Sequence, residues 1–120
     1  MGKLAERLSD ARRSGVYRVE TTEALEEAAG LNGFALERFV PGDLSGAAAL
    51  IGSRRDGCVL LFAGFEPLAH NGALKPVLGE LEARAQGCRE EGARYFAVFL
   101  DPSGVLALPP LYNWQRKRGG

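Results

Sequence analysis

The residues with the means for nucleophilic or general-base chemistry are few: one histidine, His70, and two widely separated cysteines, Cys58 and Cys88. A general base centred on an imidazole would have to be His70, which lies in Leu68-Ala69-His70-Asn71-Gly72. Asn71 is placed to orient the ring, but no nucleophile motif accompanies it, and Cys88 beside Arg89 is the one thiol with a basic neighbour. His70 therefore reads as a capping or surface residue, and no catalytic residue is assigned. One histidine and two distant cysteines make no zinc spacing and no CxxC, so no metal site is expected. The glycines between Gly42 and Gly52 form neither a G-x-x-x-x-G-K-[ST] nor a G-x-G-x-x-G cradle, so no nucleotide or other cofactor is expected. Chemistry that makes or breaks bonds finds no foothold; binding remains.

Three groups of side chains suit binding. Glu20, Glu23, Glu26 and Glu27 form a modest acidic surface, for which a solvated helix face is the plainer account. Arg54 and Arg55, in Ser53-Arg54-Arg55-Asp56-Gly57, sit in an exposed turn able to meet an anion. Tyr112, Trp114, Arg116, Lys117 and Arg118 interleave aromatics with cations, which can stack on RNA bases or dock in a protein groove. The candidate partner-binding residues are therefore Glu23, Glu26, Glu27, Arg54, Arg55, Tyr112, Trp114 and Arg116. A protein partner is expected, with RNA as the alternative through the tail.

The elements that must position them follow from composition and periodicity. A chain of 120 residues, 46% apolar and 25% charged, fits one globular domain, here residues 1–110, with a tail at 111–120. Fifteen basic and fifteen acidic residues cancel, so overall charge advertises neither nucleic acid nor membrane. No apolar run approaches the roughly 20 residues needed to span a bilayer. No signal segment is apparent and the cysteines read as buried thiols, so the expected compartment is the cytoplasm.

Lys3–Arg13 reads as a short helix with Leu4, Leu8 and Ala11 on one side, broken by Ser14-Gly15. Val16–Val19 is the first strand. Thr21 or Thr22 caps a helix facing inward through Leu25, Ala28 and Ala29, which Asn32 or Gly33 ends. Phe34–Val40 is a second, half-exposed strand. Cys58–Phe62 and Tyr95–Leu100 are continuous apolar runs of strand length, the signature of strands covered on both faces. Between them Leu74, Val77, Leu78, Leu81, Ala85 and Cys88 fall on one helical stripe, with Asn71 as its cap. This strand–helix–strand unit implies parallel pairing. After the Asp101-Pro102-Ser103-Gly104 turn, Val105–Leu108 is expected to return as an antiparallel edge strand. The fold class is α/β, a two- or three-layer domain on a mostly parallel sheet of three to four strands.

Two stretches also resemble a known family. Arg13-Ser14-Gly15-Val16-Tyr17-Arg18-Val19 resembles the opening of many bacterial proteins of the barstar-like family. Cys58 to Leu100 resembles that family's second half, with Phe65-Glu66, then Asn71-Gly72-Ala73 opening a helix, then Glu90-Glu91-Gly92-Ala93 before an apolar strand. The resemblance covers about half the chain. It implies a small layered α/β protein that binds and blocks ribonucleases. That family's inhibitory surface is an aromatic and acidic loop followed by an acidic helix. The corresponding interval here, Asp43–Gly57, holds no Tyr/Trp-Gly-x-Asn pattern and carries Arg54 and Arg55 where acidity belongs. The inhibitory residues thus map to no position, and the expected function is a non-catalytic interaction or regulatory module whose inhibitory surface has been lost or replaced. A STAS-like regulatory domain is the alternative, although His70-Asn71-Gly72 stands where that family carries a phosphorylatable serine at a helix start.

Overall fold

Cys58–Phe62 and Tyr95–Leu100 form adjacent parallel strands at the centre of the sheet in a computed structural model of the chain, which describes residues 2–40, 57–68, 72, 74–106 and 108–111. In chain order the elements are α1 (Gly2–Ser9), a 3-10 turn (Ala11–Arg13), β1 (Gly15–Val19), α2 (Glu23–Leu31) and β2 (Ala35–Phe39). They are followed by β3 (Cys58–Phe62), a second 3-10 turn (Glu66–Leu68), α3 (Leu74–Glu91) and β4 (Tyr95–Leu100). Among the described residues the sheet is four-stranded and wholly parallel in the order β1-β4-β3-β2. The two most apolar strands are its interior and the two mixed ones its edges.

Alternation along the central strands feeds two cores. Cys58, Leu60 and Phe62 of β3, with Tyr95, Ala97 and Phe99 of β4, pack under Leu74, Leu81, Ala85 and Cys88 of α3. Phe62 stacks between Phe39 and Phe99, with ring centroids 5.1 and 4.6 Å away, and Phe65 meets Phe62 and Phe99 edge-on. On the opposite face Val59, Leu61, Phe96 and Val98 pack against Leu4 and Leu8 of α1 and Leu25, Ala28 and Ala29 of α2. The architecture is three layers, helices over sheet over helix. Of the six-residue stripe on α3, Val77 and Leu78 are only partly buried.

Local chemistry moves several boundaries from their expected places. The first helix stops at Ser9 because the Asp10 carboxylate accepts the Arg12 N–H at 3.0 Å, and Asp10 is extended (φ −102°, ψ 109°). Thr22 occupies the N-cap position of α2, but its backbone is helical and its side chain makes no capping bond. At the other end Gly33, not Asn32, takes the left-handed conformation (φ 70°). The Asn32 amide instead donates to Ala5 O at 3.0 Å and ties α2 to α1.

Among the described residues, Val105, Leu106 and Leu108 do not form the expected antiparallel edge strand. The Asp101 carboxylate, fully buried, accepts the N–H groups of Val105 (3.1 Å) and Leu106 (2.8 Å) and folds the chain into a turn. Leu106 then enters the core beneath α3. The chain next crosses the outer edge of β1 in a parallel sense, with Pro110 bridged to Arg18. Leu111 enters the opposite core, against α1 and α2.

Candidate partner-binding surface

α2 turns Leu25, Ala28 and Ala29 inward, and the same periodicity places Glu23, Glu26 and Glu27 outward, where all three are exposed. Glu23 and Glu26 stand in its first turn, where the helix dipole favours negative charge. Edge strand β2 adds to this surface. Arg38 pairs with Glu26 across the gap between strand and helix, both side chains about half exposed, so the pair contributes at most about 1 kcal/mol. Between Arg18 and Arg38 the chain carries five glutamates and no basic residue. The outer face of α2 is therefore locally acidic through Glu23 and Glu27, with Glu26 paired to Arg38, although the net charge of the chain is zero. Leu31 at the end of α2 is 67% exposed and Val40 after β2 is 49% exposed, adding apolar contact area near the two ends.

The three glutamates are thus brought together on one helix. Arg54, Arg55, Tyr112, Trp114 and Arg116 lie outside the described residues, as do His70 and Asn71. Sequence reasoning missed Arg38, which neutralises the middle of the acidic row. Alternation along the strand shows only that Glu37 and Arg38 point to opposite faces; which of them meets α2 is set by the fold.

The polar groups sealed inside serve structure. Ser14 is 1% exposed; its hydroxyl donates to Ala93 O (2.9 Å) and accepts the Tyr95 N–H (3.0 Å), while its carbonyl accepts from Arg89 (2.6 Å). These bonds lock the start of β1 to the α3–β4 connection. The Tyr95 hydroxyl is buried with no hydrogen-bond partner among the described residues, and burial pushes its pKa well above the usual phenol range. Cys58 and Cys88 are buried in the same core, as expected, and neither is in a disulfide.

A small cleft of about 280 Å³ beside α1 is lined by Glu6, Arg7, Asp10 and Arg13. The side chain and amide of Arg12 hold the Asp10 carboxyl below the ordinary range, so this acid stays ionised and paired. Among the described residues no group of three or more His, Cys, Asp or Glu is placed to share a metal ion. No helix among them is long and apolar enough to cross a membrane. Comparison with protein-family models, curated proteins and solved structures finds no match to the chain.

Proposed function

We propose that the chain is a cytoplasmic, non-catalytic protein-binding module of barstar-like kind, and that it receives a basic protein partner on the outer face of α2. The acidic sector carries this reading: Glu23, Glu26 and Glu27 stand exposed on a helix whose other face is anchored in the core. A rigid row of like charge accelerates encounter with a basic surface and sets orientation more than it sets final affinity. In the resembling family an acidic helix does this work after the first half of the chain. Here the interval 43–57 lacks that motif, and α2 supplies the nearest equivalent charge.

The test is affinity capture from native cell extract with the wild-type chain and with E23Q/E26Q/E27Q, followed by titration of the captured protein at low and high salt. A basic protein retained by the wild type and lost by the variant, with association slowing as salt rises, supports the proposal. Equal capture by both chains overturns it, as does capture of RNA alone through Tyr112 to Arg118. Titration against a barnase-type ribonuclease decides the narrower inhibitor reading, which no inhibition at micromolar concentration eliminates.

A further inference from the structure

The segment Leu108–Leu111 crosses the sheet edge from one core to the other. Leu106 is 7% exposed beneath α3, Leu108 packs on the same core, and Leu111 is 1% exposed on the α1/α2 side. Pro109 and Pro110, both exposed, make the crossing. The segment is held to β1 through one residue. The Arg18 N–H donates to Pro109 O (3.0 Å), the Leu111 N–H donates to Arg18 O (2.9 Å), and Arg18 Nε donates to Leu108 O (3.2 Å). The two prolines have no N–H, so pairing cannot spread along the segment as it does along a strand. β1's inner edge, by contrast, pairs with β4 over all five of its residues.

We infer that Leu108–Leu111 is a reversible strap: it lifts from β1 while the four-stranded sheet stays intact, and the edge it leaves receives the same segment from a second copy. Opening releases the buried Leu111 and the partly buried Leu108 and, among the described residues, breaks hydrogen bonds to β1 at Arg18 alone, so it lies below global unfolding in free energy. The vacated edge presents the Arg18 N–H and C=O beside the apolar slot that Leu111 filled. The Pro-Pro-Leu segment already fits that edge and slot, and every copy of the chain carries it. The bound segment occupies the edge in the closed form and so limits pairing between copies.

Native-state hydrogen exchange on the full chain tests this. Expected in the wild type are Arg18 and Leu111 amides that exchange faster than those of Val98 and Leu60, with little dependence on added urea. L111A should accelerate exchange at Arg18 by roughly 10–100-fold and leave the ratio among β3 and β4 amides unchanged. A peptide of residues 108–115 added to full-length L111A should slow Arg18 exchange again. Arg18 and Leu111 amides that share the protection and urea slope of Val98 would overturn the strap. Failure of the peptide to protect Arg18 in L111A would overturn the exchange between copies.

Discussion

Replacing Tyr95 with phenylalanine deletes one oxygen from the core beneath α3 and should raise stability, against the usual direction of core substitutions. The hydroxyl is buried and unpartnered among the described residues, and a buried unsatisfied polar group costs about 1–3 kcal/mol. Against this, the removed oxygen takes a few packing contacts with it, so the net gain should be about 1 kcal/mol. With a urea slope of about 2 kcal/mol/M, that moves the denaturation midpoint up by roughly 0.5 M. A second readout comes from alkaline pH. Burial is the first cause of the raised Tyr95 pKa, followed by Cys58 and Cys88, so the folded phenol keeps its proton where an unfolded one, at 10.0, loses it. The folded state then binds more protons than the unfolded, and stability falls as pH rises above that value by up to about 1.4 kcal/mol per pH unit. Tyr17, raised by partial burial, contributes in the same sense. Y95F removes the Tyr95 share, so its advantage over wild type should widen above pH 10. Equilibrium urea denaturation at pH 7 and at pH 10.5–11 measures both effects. A Y95F protein less stable than wild type, or a gap that does not widen at alkaline pH, would refute the reasoning.

Three other substitutions test the joints of the fold. S14A leaves the Tyr95 N–H and the Ala93 carbonyl unpaired inside the protein and should lower stability by about 3 kcal/mol in urea denaturation. D101A unpairs the Val105 and Leu106 amides and should cost about 2–3 kcal/mol; because that turn launches the strap, exchange at the Arg18 amide should quicken as well. G33A puts a Cβ on a residue at φ 70° with open space around it, so the cost is conformational alone, about 1–2 kcal/mol by thermal denaturation.

The parts of the fold legible in the sequence are those written in local periodicity. Continuous apolar runs announced β3 and β4 as buried on both faces, and spacings of three and four announced α3. Strand order was not legible, since nothing near Val16 or Phe39 says that one pairs with β4 and the other with β3. The Val105–Leu108 stretch was misread for a related reason. Its apolar residues satisfy a strand pattern, but the Asp101 carboxylate, four and five residues upstream, captures the amides that a ladder would need. In the candidate site the glutamate face of α2 was legible from helical spacing, whereas the Glu26–Arg38 pair depends on two elements meeting in space. The helix break at Asp10 belongs to the same class, a short polar side chain overriding a good apolar stripe.

The strand order also dictates when the molecule can exist. β4, the last strand among the described residues, sits between β1 and β3, with Gly15 beside Phe96 and Cys58 beside Tyr95. Until it is in place, β1 has no neighbouring strand and the β2–β3 pair has no continuation. Folding therefore waits on the longest loop closures in the chain, the arrangement that slows folding most. A nascent chain halted before Tyr95 holds the acidic helix and both sheet edges yet lacks the strand that joins them. It can acquire this sheet only once β4 itself has been synthesised.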